Sequence, residues 1–124
     1  MSNDEEFSPI DVNAGINQVG ETGMFLSMME NFERLTLTKN LMALKMAIDS
    51  NNWDQVKDES HSLKGASSYL CTFKLTELAK QLQLAVENKE YNQVYVIYPK
   101  LVEESIKIKV FIKKYMAKLN RKHN

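Results

Sequence analysis

The chain has 124 residues, 44% of them hydrophobic, and its 16 basic residues balance its 16 acidic ones. This length is enough for one domain with its own core, but not for two. The zero net charge offers no long-range field that would attract nucleic acid or an anionic membrane.

The single cysteine excludes an intramolecular disulfide and suits a reducing compartment. The acidic start "MSNDEEFSPI" is unlike a signal peptide, and no apolar run reaches the ~20 residues of a membrane span. We therefore expect a cytoplasmic protein, or one that also enters the nucleus.

Charge is unevenly distributed along the chain. Residues 1–33 contain seven acidic and no basic residues, whereas residues 105–124 contain seven basic and no acidic ones. A basic tail is compatible with nucleic-acid binding. We favour the solvated face of a terminal helix that pairs with the acidic N-terminal region, and we expect no nucleic-acid or membrane partner.

The N-terminal region predicts a disordered segment and one short helix. Residues 1–8 are polar and are expected to be disordered. Ser8 would cap a helix that has Pro9 at its first position, and this helix would end near Gly20 or Gly23.

Helical spacing of apolar residues predicts four further helices in chain order. The first two have stripes of Met24, Phe25, Met28, Met29, Phe32 and Leu35, and of Leu37, Leu41, Leu44, Ala47 and Ile48. Asn52 would cap the third, which runs from Trp53 to about Leu70. Thr72 would begin the fourth, which "ENKE" at 87–90 closes.

The last segment has the strongest pattern, in steps of three and four residues. Its stripe consists of Tyr91, Val94, Tyr98, Leu101, Ser105, Ile108, Ile112, Tyr115 and Leu119. Pro99 should kink this helix or divide off its first turns. "VYVIY" at 94–98 resembles a strand but has no strand to pair with. The fold class is all-α: an antiparallel up-down four-helix bundle over 9–119, with an additional short N-terminal helix or helices and a frayed end at 120–124.

The helix from Trp53 carries a histidine on its outer face when each residue advances by about 100°. The stripe within about 60° of Leu63 contains Val56, Ala66, Ser67 and Leu70. The opposite surface contains Lys57, His61, Lys64, Gly65 and Ser68. His61, at about 160°, therefore points away from the core, whereas Glu59 falls on the buried side as a misfit.

A glutamine on the following helix is predicted to lie beside this histidine. His61 is ten residues before the turn near 71–72, and Gln83 is about twelve residues after it. At about 1.5 Å per residue the two lie level with each other. Gln83 would hydrogen-bond one imidazole nitrogen and leave the other exposed.

Phosphoryl transfer fits this surface better than metal binding or hydrolysis. The chain's other histidine, His123, lies in the tail, so a metal site lacks ligands. Ser60, Ser62 and Ser68 are helix residues without an oxyanion hole. A glycine inside a helix costs about 1 kcal/mol relative to alanine, and Gly65 would leave room for a phosphate on His61. Lys64 would supply the ammonium group, and Lys57 a weaker field.

The stretch "HSLKGASSYL" resembles the signature of histidine-containing phosphotransfer (HPt) domains, H-x-L-K-G-small-small-x-x-L-G. The resemblance extends over "MFLSMMENF", the helix ending in "DSNN", and the helix that follows the motif. HPt domains are helical bundles that relay phosphate between the aspartates of receiver domains. The resemblance implies that His61 is phosphorylated, Lys64 stabilises the phosphate, Gly65 gives clearance and Gln83 orients the imidazole.

The resemblance also implies a docking surface for receiver domains. It would consist of the exposed surface around the histidine, with Lys57 and Ser68, and apolar residues of the first two helices, Ile16, Val19, Met24 and Met28. The alternative is that the methionines are core residues. Cys71 stands where the family has glycine, so a slightly altered turn is expected.

A domain of this kind would not be an enzyme with its own kinase or nucleotide site, because no Gly-rich phosphate loop is present. The chain would bind no cofactor, and Mg²⁺ would come from the partner receiver. A monomer is expected. The alternatives are a non-catalytic helical adaptor, a scaffold that only binds receivers, and a fragment of a histidine kinase dimerisation domain. The last typically has an acidic residue and Arg-Thr-Pro after its histidine, which "SLKG" does not match.

Overall fold

The computed structural model describes residues 8–123, with side chains described up to Asn120, and this part of the chain is helical without strands. The helices are α1 Val12–Val19, α2 Thr22–Asn31, α3 Leu37–Asp49, α4 Trp53–Tyr69, α5 Phe73–Glu87 and α6 Tyr91–His123. A π-helical segment, Phe32–Thr36, joins α2 to α3. The predicted all-α class is confirmed.

The start of α1 differs from the prediction. The cap is Asp11, whose carboxylate accepts a hydrogen bond from the Ala14 amide at 3.0 Å. The Ser8 hydroxyl instead donates to the Ile10 carbonyl at 2.7 Å. A carboxylate near the N-terminal amides also favours the helix dipole, so Asp11 is the better cap. The predicted end is confirmed, because Gly20 has a left-handed φ of 91°.

Residues 22–49 form one continuous helix where two were predicted. Asn31, Phe32 and Leu37 all keep right-handed helical angles across the junction. The π turn bonds i to i+5 and shifts the phase of the helix surface. Phe32 and Leu37 are consequently buried, whereas Leu35, predicted to belong to the apolar stripe, is 63% exposed.

The helices α3, α4 and α5 are each followed by a residue that has left-handed backbone angles although it is not glycine. Asn51, Cys71 and Lys89 have φ values of 54°, 55° and 58°. Each donates to a carbonyl three residues back, and the next amide reaches five residues back, which is the Schellman pattern. Asn52 then caps α4 by accepting from the Gln55 amide at 3.2 Å, as predicted.

Neighbouring helices pack in chain order, α3 on α4, α4 on α5 and α5 on α6, and α6 returns to the π segment and α2. Polar pairs join them: Asn40 Nδ2 donates to Glu59 Oε2 at 2.9 Å, and Lys113 Nζ lies 3.5 Å from Glu33 Oε1. The first pair explains how Glu59 is accommodated near the buried side of α4. The second joins the basic face of α6 to the acidic N-terminal region, as predicted.

The core consists of large side chains contributed by every long helix. Those almost fully buried include Phe25, Met29, Leu37, Leu44, Val56, Leu63, Leu75, Leu82, Leu101, Ile108 and Ile112. At one end Trp53 stacks on Tyr91 with ring centroids 4.6 Å apart, which ties the start of α4 to the start of α6. At the other end α1 contacts the turn between α4 and α5, where the Asp11 amide donates to the Cys71 carbonyl at 3.1 Å.

The helix α6 continues through Pro99 to His123, so the proline does not divide off its first turns. The predicted disordered segment 1–8 lies outside the described residues except for Ser8, and the predicted frayed end 120–124 lies partly outside them. Within residues 8–123, none of the helices has the length and apolarity that crossing a membrane requires.

Candidate functional site

The two faces of α4 place His61 at the surface. Leu63 and Ser67 are fully buried on the inner face, whereas His61 is exposed. Ser60 is also buried, and its hydroxyl donates to the Val56 carbonyl at 2.6 Å. The Ser68 hydroxyl, next to the histidine surface, donates to the Gly65 carbonyl at 2.8 Å. These two hydroxyls are hydrogen-bonded to backbone carbonyls, and neither contacts the imidazole.

Among the residues that the structure describes, the imidazole has one polar partner, on the next helix. His61 Nδ1 lies 3.3 Å from Gln83 Oε1, across the interface between α4 and α5. The two residues are thus level, as their distances from the turn predict. An amide oxygen only accepts, so Nδ1 carries the proton in this contact and Nε2 retains its lone pair. The exposed nitrogen is therefore the nucleophilic one.

The surface one turn beyond the histidine is open. Gly65 is exposed, and a Cβ atom added to it would meet no atom within 4 Å. The fold therefore does not require glycine at this position. The space that the missing side chain leaves lies on the same helix face as His61, since positions three and four residues apart are neighbours.

Two lysines of α4 border this open surface. Lys64 follows His61 by three residues and Lys57 precedes it by four, and both are half-buried. Lysine side chains bury their methylene stems while the ammonium group remains in water. An anion bound to His61 Nε2 would thus lie beside one or two positive charges.

The predicted docking residues differ in exposure. Met24 is 56% exposed and available to a partner. The other three apolar candidates, Ile16, Val19 and Met28, are partly buried and pack against the core. Of the two polar candidates, Ser68 is exposed and Lys57 is half-buried.

The turn after the motif holds Cys71 in the conformation that glycine adopts most easily. Its φ is 55°, so the chain accepts the left-handed geometry without glycine. The side chain is 4% exposed and its Sγ lies 3.4 Å from Gln18 Oε1. Burial raises the pKa of the thiol, and the Asp11 carboxylate raises it further. The thiol is therefore protonated at neutral pH and has little reactivity.

One residue of the site was not predicted. Gln83 Nε2 donates to Glu87 Oε1 at 2.8 Å, so two successive hydrogen bonds connect the Glu87 carboxylate to the imidazole through Gln83. The spacing of four residues on one helix is a signal from which this contact is predictable. Among the described residues, no three histidine, cysteine or acidic side chains group as a metal site.

Comparison with known proteins points to the same family that the residues around His61 indicate. The family model described as "Hpt domain" matches residues 24–108, more than two thirds of the chain. The match contains α2 from Met24 onward, α3 to α5, about the first half of α6, and His61 with its neighbours. Searches among curated proteins and among solved structures returned no significant match. The chain therefore belongs to the HPt domain family, whose members transfer phosphoryl groups through histidine in phosphorelay signalling.

Proposed function

We propose that the chain is a phosphorelay intermediate that accepts a phosphoryl group on His61 from the aspartyl phosphate of one receiver domain and passes it to another. The observation that carries this proposal is an exposed imidazole whose Nδ1 faces Gln83 Oε1 at 3.3 Å. The contact leaves the Nε2 lone pair toward solvent, where an incoming receiver can reach it. Family membership supports the same chemistry.

In the proposed transfer, Nε2 attacks phosphorus while the bond from phosphorus to the aspartate oxygen breaks. The electron pair of that bond remains on the aspartate as carboxylate, and the proton stays on Nδ1. The ammonium group of Lys64 stabilises negative charge on the phosphoryl oxygens, and the open surface at Gly65 gives them room. The receiver supplies Mg²⁺, which neutralises charge on the same oxygens.

The proposal extends to architecture and partners. The continuous helix 22–49 and helices α4, α5 and α6 would form an antiparallel up-down four-helix bundle, with α1 as the additional helix. Receivers would dock on the surface around His61, with Met24 as the most exposed apolar contact. The chain would act as a monomer, without a kinase or nucleotide site and without a cofactor of its own.

Transfer of labelled phosphate from a phosphorylated receiver in Mg²⁺ tests the proposal. We expect label that is acid-labile and alkali-stable, as on phosphohistidine. His61→Gln should abolish it, whereas His123→Gln, which changes the chain's other histidine, should leave it intact. Label that persists in His61→Gln rejects the proposal. Receiver binding without any label favours a binding scaffold or adaptor instead.

The role of Lys64 has its own test in the same assay. Lys64→Ala removes one charge-assisted contact to the phosphoryl group, so transfer should slow by about tenfold. Lys39→Ala, which removes an exposed lysine of α3, is the control and should have no effect. Equal rates for the two variants would remove Lys64 from the mechanism.

A further inference from the structure

A chain of two hydrogen bonds leads from the imidazole to the last residue of α5. His61 Nδ1 contacts Gln83 Oε1 at 3.3 Å, and Gln83 Nε2 donates to Glu87 Oε1 at 2.8 Å. A glutamine amide has an accepting end and a donating end, and either end could face the histidine. The orientation of the amide therefore decides which imidazole nitrogen is protonated.

The carboxylate of Glu87 selects between the two orientations. An ionised carboxylate only accepts, so it pairs with the NH₂ end of Gln83 and repels the oxygen end. The oxygen is then left facing His61. Because that oxygen also only accepts, the imidazole must place its proton on Nδ1.

The helix alone gives no reason for an acidic residue at this place. Glu87 is the last residue of α5, where the partial negative charge of the helix disfavours a carboxylate and favours lysine or arginine. Its contact with Gln83 offsets this disadvantage, since residues four apart lie on one helix face.

We propose that Glu87 is a positioning residue that fixes the Gln83 amide and thereby keeps the proton of neutral His61 on Nδ1. The use of the free Nε2 rests on the proposed function, whereas the hydrogen-bond chain does not. During transfer the N–P bond forms at Nε2 as the acyl P–O bond breaks, and Gln83 Oε1 keeps the proton on Nδ1. The phosphorylated ring then carries the positive charge of an imidazolium, so in the onward step it leaves as neutral imidazole, which is a better leaving group than imidazolate.

The tautomer of His61 is measurable in the unphosphorylated chain by ¹⁵N NMR of the ring nitrogens. A free histidine side chain in water favours the proton on Nε2, so we expect the opposite preference at His61. Glu87→Lys places a donor beside the NH₂ end of Gln83, which should turn the amide so that its oxygen faces the lysine and shift the tautomer ratio about fivefold toward Nε2–H. Glu87→Gln keeps an accepting oxygen and should resemble the unchanged protein.

The control is Glu77→Lys, which makes the same charge change at an exposed position of α5 and should not move the ratio. Equal ratios in Glu87→Lys, Glu77→Lys and the unchanged chain overturn the proposal. Gln83→Leu removes the acceptor and should shift the ratio in the same direction as Glu87→Lys. If the ratios shift as expected but His61 takes no phosphate, the proposed function fails and the positioning role of Glu87 stands.

Discussion

Two helical glycines, Gly15 in α1 and Gly65 in α4, have opposite surroundings. A Cβ atom on Gly15 would lie 2.2 Å from two ring atoms of Phe25, whose side chain is fully buried. A Cβ atom on Gly65 would meet nothing within 4 Å. Both residues cost the chain about 1 kcal/mol of helix propensity relative to alanine.

The difference shows that packing requires glycine at position 15 but does not require it at position 65. At Gly15 the close approach of α1 and Phe25 leaves no room for a methyl group, so the fold accounts for the residue. At Gly65 the fold offers room and gains nothing from the missing side chain. The free chain therefore gives no reason for glycine at this position, and we propose that a phosphoryl group on neighbouring His61 needs the room.

The largest expected effect is on stability and concerns Gly15, the glycine that packing requires. Gly15→Ala forces the methyl group against a fully buried ring, so the free energy of unfolding should fall by about 3 kcal/mol. Urea unfolding followed by the fluorescence of Trp53, the single tryptophan, measures this change. The matched control is Gly65→Ala, which should raise stability by about 0.5–1 kcal/mol. Equal changes in the two variants would show that packing does not distinguish Gly15 from Gly65.

The second effect is on function and concerns the open surface. Gly65→Gln extends a side chain across the face that His61 shares, so phosphotransfer should slow by tenfold or more, about 1.4 kcal/mol in the barrier. The fold should tolerate the change, because the position is open. Ser62→Gln, exposed on another side of α4, should transfer at the normal rate. Normal transfer by Gly65→Gln rejects the clearance role.

The smallest effect concerns positions where glycine is absent although the backbone favours it. Lys89 has a φ of 58° and an exposed side chain, so Lys89→Gly should raise stability by about 1 kcal/mol. Cys71→Gly relieves the same conformation but loses a buried thiol and its contact with Gln18, so its gain should be smaller. Urea midpoints measure both changes. A larger gain at Cys71 would show that the thiol contributes nothing to packing.

Much of the site was predictable because helix geometry decides it. The phase of α4 places His61 opposite Leu63, and the equal distances from the turn place Gln83 level with it. These inferences need only the angle and the rise per residue. The exposed position of Gly65 followed in the same way, from its place on the helix surface, whereas its clearance role stays a prediction.

The features that were not predicted from the sequence depend on contacts between helices, on a change of helix pitch, or on competition between two possible capping residues. The cap at Asp11 prevailed over Ser8 because a carboxylate accepts from the first amides of α1. The π segment rotated Leu35 into solvent, and periodicity alone does not reveal such a change of pitch. Glu59 near the core accepts a hydrogen bond from Asn40 on another helix, a contact that the pattern of one helix does not reveal.

We propose that the phosphoryl group resides on Nε2 of His61, over the surface that Gly65 leaves open. A ¹⁵N-labelled chain, phosphorylated by a receiver domain in Mg²⁺, tests it through the one-bond coupling between ³¹P and the ring nitrogens. We predict coupling to Nε2 of His61, with the proton still on Nδ1. Coupling to Nδ1, or to a nitrogen of another residue, would contradict the account.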